Sequence, residues 1–122
     1  MPIRQTFTNK GEYLLVNAEG PRTVSELRKA HEELASYCKQ HNIKRVVADS
    51  RGMVGELSEL DMLELGTHMK MLVHAGIERF AIIMPEEDYT DFGGTVATNR
   101  GVPTKIFINL EEAKKWITMD NE

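Results

Sequence analysis

The stretch KRVVADSRGMVGELSELDML, residues 44–63, changes its hydrophobic period partway along. Its first six residues form a short apolar run of the kind that suits a central strand covered on both faces. Its last residues place apolar side chains at helical spacing behind a serine and several acids. Gly52 and Gly55 lie between them. The stretch therefore reads as strand, turn and helix. The helix is expected over 58–74, ending at Gly76, which suits a left-handed cap. At about 100° per residue, Met62, Leu65, Met69, Leu72 and Val73 share one arc, which should face a sheet.

Working outward, 3–8 and 12–18 are two strand-like runs joined by Asn9-Lys10-Gly11, a good hairpin connection. Glu19-Gly20-Pro21 should then break the second strand. Thr23-Val24-Ser25-Glu26 is a capping box. The helix behind it carries Val24, Leu27, His31, Leu34, Ala35 and Cys38 on one face. On that stripe Cys38 reads as a small buried hydrophobe, and His31 as a partly buried, hydrogen-bonded histidine. His68 reads as a surface residue. Beyond Gly76, ERFAIIM at 78–84 is a strand ended by Pro85, and 86–100 is a weaker helix interrupted by Gly93-Gly94. PTKIFI at 103–108 is the last strand, and LEEAKKWIT at 110–118 a closing amphipathic helix.

The order is β-β-α-β-α-β-α-β-α: an α/β fold with a mixed, mostly parallel five-stranded sheet, an N-terminal hairpin and about four helices. Functional sites in such sheets favour the carboxyl ends of the strands. With 122 residues, 41% hydrophobic and 28% charged, the chain suits one domain spanning 1–122. A net charge of −4 with scattered basic residues disfavours nucleic acid. A single cysteine excludes an internal disulfide and fits a reducing compartment. No signal-peptide pattern and no apolar run approaching the roughly 20 residues of a membrane span are present, so a cytoplasmic, soluble protein is expected.

An acidic residue ending a central strand before a turn and helix, within this element order, resembles the STAS domain, and within it the SpoIIAA-like proteins named for the anti-sigma factor antagonist. The AEGP at 18–21, VVADSRG at 46–52 and LEEAKKWI at 110–117 carry the likeness across nearly the whole chain. The resemblance implies a non-enzymatic regulatory or protein-binding module, without cofactor. It also implies a phosphoserine switch: ungapped register from Asp49 puts Ser58 at the acceptor position of the family's DSSG-type motif. Leu57, Glu59 and Leu60 replace the residues around that serine.

The residues themselves offer plainer accounts. Ser58-Glu59-Leu60-Asp61 is close to a capping box, and Glu56, Glu59 and Asp61 complement a helix N-terminus. A phosphate on Ser58 would meet those acids, with Arg51 as the nearby compensating cation. The acids do not follow calcium-loop spacing, so no metal site is expected. No nucleophile–base pair can be assembled from Ser50 or Ser58, so no enzyme is expected. The turn surface of Asp49, Ser50, Arg51, Met53 and Glu56 is expected to contact a partner. Leu60, Leu63 and Met71, on a second helical arc, would dock a protein partner or a second copy of the chain in a homodimer. The rival reading is a binding domain for a small apolar molecule or lipid, since SpoIIAA-like folds resemble the SEC14 type. Its pocket would lie beneath Met53, Val54, Tyr89 and Phe92. An apolar cavity open beside the 50–57 and 85–95 loops would favour the rival; a filled core with a flat apolar helix face would favour docking.

Overall fold

The computed structural model describes residues 2–89, 98 and 101–119. Strands β1 (Arg4–Asn9) and β2 (Leu14–Pro21) form the expected antiparallel hairpin. Asn9 closes it by accepting the Gly11 N–H on its side-chain oxygen at 2.8 Å. Helix α1 (Val24–His41) starts at Thr23, whose hydroxyl accepts the Glu26 N–H, and ends at Asn42 in a left-handed conformation. Strand β3 (Arg45–Val54) leads to α2 (Glu59–His68) and α3 (Lys70–His74). Strand β4 (Arg79–Ile83), a 3-10 turn (Glu86–Asp88), β5 (Thr104–Phe107) and α4 (Leu110–Ile117) follow.

The five strands lie in the sheet in chain order, β1 to β5, and every pair after the hairpin is parallel. Alternation along the strands sorts the core into two layers. Leu14, Val16, Val46 and Phe80 meet Leu34 and Cys38 of α1, Leu65 of α2 and Leu72 of α3 on one face. Their neighbours Tyr13, Val47, Ala81 and Ile83 meet Ala113 and Ile117 of α4 on the other. The C-terminal carbonyls of α4, which have no helical partner, are held by arginines of the sheet. Arg45 donates to Ile117 O at 2.9 Å, and Arg79 to Trp116 O at 2.9 Å.

Four local expectations need correction. The second strand does not break at Glu19 but runs to Pro21, because Gly20 and Pro21 pair with Met53 and Val54 of β3. Gly20 (φ 126°) permits this; a Cβ there would meet Pro2 O at 2.9 Å. Residues 50–54, read as part of a turn, belong to β3, which ends only at Gly55 (φ 104°). The helix over 58–74 is two helices divided at Met69, and Val73, expected to face the sheet, is exposed. Of the helix expected over 86–100, residues 86–88 form the 3-10 turn and Tyr89 is extended, residue 98 is helical, and the rest lies outside the described residues.

Candidate functional site

The pairing of β2 with β3 slips between Asn17 and Glu19: Asn17 faces Asp49, but Glu19 faces Gly52. Two steps along β2 match three along β3, so β3 carries an extra residue, a β-bulge. A bulge shifts the alternation by one and re-aims the side chains beyond it. Ala48 and Ser50 point to the α1–α2 face, and after the bulge Met53 does so too, instead of turning to the opposite face.

These three side chains form one wall of a cavity of about 130 Å³ between the sheet and helices α1 and α2. Val16, Ile82 and Ile106 extend the wall across the sheet, and Leu27, Leu34, Met62 and Leu65 close it from the helices. The partial accessibility of Ala48, Ile82 and Met84 is thus the surface of this space, which runs along the parallel strands from Phe80 and Thr104 near their amino ends to Met53 and Met84 near their carboxyl ends. The lining is mostly apolar. A cavity of roughly 150 Å³ with such walls accommodates a benzene-sized molecule.

The polar side chains at the cavity are Gln5, Arg22, His31, Ser50 and Thr104. The Ser50 hydroxyl donates to Ile83 O at 2.7 Å and that of Thr104 to Val102 O at 2.9 Å, so each has its only proton in use. Gln5 donates to Ala30 O at 3.1 Å. Arg22, only 7% exposed, reaches Gly55 O at 2.8 Å and Ser50 O at 3.1 Å, while its backbone N–H donates to Val54 O at 2.7 Å. It thereby ties the end of β2 to the bulged end of β3. His31 is buried, meets the edge of Phe80 with ring centroids 6.2 Å apart, and has no hydrogen-bond partner at Nδ1. This corrects the hydrogen-bonded histidine expected there. Burial, followed by the charge of His68, pushes its pKa down to about 4. His68 is not simply a surface residue either: its Nε2 is buried, 3.6 Å from a Glu32 carboxylate oxygen, too long for a hydrogen bond. Cys38 lies fully buried in the core as a hydrophobe, its thiol pushed up to about 11 by burial.

The other residues singled out from sequence lie elsewhere. Asp49 and Arg51 form a bidentate pair at 2.9 and 2.7 Å; Arg51's side-chain hydrogen bond is the main cause holding the Asp49 carboxyl below its ordinary value. Arg51 and Glu56 are exposed, and so are Val54 and Tyr89; none of the four lines the cavity. Phe92 lies outside the described residues. Among the described residues no three His, Cys, Asp or Glu side chains converge as a metal site would need. Leu60 is 77% exposed, Leu63 is half-buried, and Met71 packs against the main core.

Ser58 caps α2. Its hydroxyl accepts the Asp61 N–H at 3.0 Å, and the Asp61 carboxylate accepts the Ser58 N–H at 3.2 Å. Ser58→Ala should lower the unfolding free energy by about 1 kcal/mol, read from denaturant titration. A loss below about 0.3 kcal/mol would show that the cap contributes nothing to stability.

Arg22 and His31 were missed as site residues. Arg22 follows a strand and precedes a helix cap, with no local spacing to mark it. His31 was visible on the apolar stripe of α1, but its position over a cavity was not.

No family model matches the chain, and no curated protein does. Among solved structures it is similar to an uncharacterized protein from the DUF3478 family with a SpoIIAA-like fold, from Shewanella loihica PV-4. The two share 21% sequence identity and a TM-score of 0.53, over 95% of this chain and 94% of that one. Among the described residues no helix is long and apolar enough to cross a membrane. The chain thus has a SpoIIAA-like α/β fold, with a bulged central strand opening an apolar cavity beneath its first two helices.

Proposed function

We propose that this protein is a non-enzymatic binding module for a small, mainly apolar molecule, held between the sheet and helices α1 and α2. The observation that carries this reading is the mostly apolar cavity of about 130 Å³ between the sheet and helices α1 and α2, a space of the size and lining that admit a benzene-sized molecule. Drug-sized ligands occupy pockets of roughly 300–1,000 Å³, so this space favours something smaller, a short alkyl chain or a single ring. Docking of a protein partner has thinner support. Leu60 and Val54 are exposed, but isolated apolar side chains are normal on protein surfaces, and Met71 is turned toward the core.

Ala48 tests the proposal. It sits mid-strand with its side chain at the cavity, so Ala48→Leu would put a larger side chain into that space. For the native protein, hexan-1-ol at a hundred times its Kd should raise the unfolding free energy by about 2.7 kcal/mol. Ala48→Leu should abolish this gain, while the substitution itself stabilises the unliganded protein by about 0.5–2 kcal/mol, as cavity filling does. An unchanged ligand effect in the variant would place binding elsewhere.

A further inference from the structure

The proposed cavity reading leaves one group unexplained, the buried guanidinium of Arg22. A cation removed from water is normally balanced by a carboxylate, because desolvation is otherwise strongly unfavourable. Among the described residues no Asp or Glu lies within ion-pair distance of Arg22. The acids nearest in sequence are engaged elsewhere: Glu19 with Arg4 at 3.2 Å, and Glu26 with Lys29 at 3.5 Å. Two backbone carbonyls accept from Arg22, yet a guanidinium has five N–H donors and its charge is not cancelled by neutral acceptors. The hydroxyl donors at the cavity, Ser50 and Thr104, already serve carbonyls. Among the described residues of this wall, Arg22 therefore holds the uncompensated charge, and its five N–H donors outnumber the two carbonyls they serve.

Resting on the cavity reading, we infer that the ligand is a small amphipathic monocarboxylate, its apolar part in the cavity and its carboxylate on Arg22. A monoanion fits better than a phosphate dianion because, among the described residues, the cavity offers one cationic centre. The other basic side chain there, His31, is neutral at pH 7, since burial and His68 depress its pKa. A carboxylate also suits the planar donor edge of a guanidinium. The carbonyl bonds to Gly55 and Ser50 hold that edge in place before any ligand arrives, which limits the entropy lost on binding.

Calorimetric titration of the full chain with hexanoate, hexan-1-ol and hexyl phosphate at pH 7 tests this. Hexanoate should bind at least tenfold more tightly than the alcohol and more tightly than the phosphate. Arg22→Gln should bring the acid-to-alcohol affinity ratio down to about one. Equal affinity for acid and alcohol in the native protein would overturn the carboxylate inference and leave the apolar-cavity reading standing. Tighter binding of the phosphate would also overturn the monocarboxylate assignment alone. Binding of none of the three would overturn both. Because the acid–alcohol comparison is made on the native protein, it decides the matter even if Arg22→Gln, which also loses the β2–β3 tie, does not fold.

Discussion

Phe80→Ala should lower the unfolding free energy by about 4 kcal/mol, a large fraction of the total stability of a small domain. Phe80 is among the largest fully buried side chains, lies in the main core and lines the cavity. Truncation removes its transfer free energy and extends a space that is already present, and β4 cannot collapse inward while paired on both sides with β3 and β5. The same change should enlarge the binding space. A bulkier apolar probe, such as naphthalene, should bind Phe80→Ala more tightly than it binds the native protein and recover part of the lost stability by mass action. Urea unfolding with and without the probe measures both effects. A loss below about 1 kcal/mol would mean that Phe80 is not packed as described.

Acid should destabilise the fold through His31 before the carboxylates titrate. Its pKa is about 4 in the folded chain against an ordinary 6.5. Between those values the unfolded chain binds more protons, so stability rises with pH through the window. The contribution is fully present above pH 6.5 and is lost as pH falls through about 4. Its size is about 3 kcal/mol. His31→Leu removes the titrating group together with its unpartnered nitrogen, and should flatten the dependence between pH 7 and pH 4. Asp49 acts in a lower window. Its carboxyl is held below 3.8, chiefly by hydrogen bonding from Arg51, so its contribution is present above that value and fades as pH falls further. Unfolding free energies at pH 7, 5.5 and 4 for the native chain and His31→Leu separate the two; parallel curves would remove His31 as the cause.

The fold was largely legible because its signals are local. Asn9-Lys10-Gly11 marks the hairpin, Thr23 and Ser58 mark two helix starts through their own hydrogen bonds, and KRVVAD marks the central strand. The misread segments were settled by pairing between strands. Gly20, Pro21 and Gly52 read as breakers, yet β2 and β3 pair through all three, because tertiary pairing outweighs β-propensity. The site was less legible for the same reason. A bulge is a mismatch between two strands, and neither strand alone reveals it. Met53 was placed at a pocket and does line one, whereas Val54, one residue on, is 68% exposed. Arg22 carried no sequence signal at all, since its importance comes from the absence of a carboxylate around it among the described residues.

The likeness to the phosphoserine-switch turn takes a different form in the folded chain. Ser50 faces the cavity with its hydroxyl bonded to β4, while Ser58 caps α2 from an exposed position. Arg51, the cation nearest the turn in sequence, is paired with Asp49. The stretch from 44 to 63 supports a reading in which it shapes a binding space, through the bulge that turns Met53 inward, more directly than one in which it presents a modification site.

The most direct test of that reading is a methyl-detected NMR titration of the native protein with hexan-1-ol. Binding in the cavity predicts saturable shifts at Ile82, Ile106, Met53 and Met62, with Val54 and Leu60 unmoved. Shifts confined to Val54, Leu60 and Leu63, or no saturable shift at all, would contradict it.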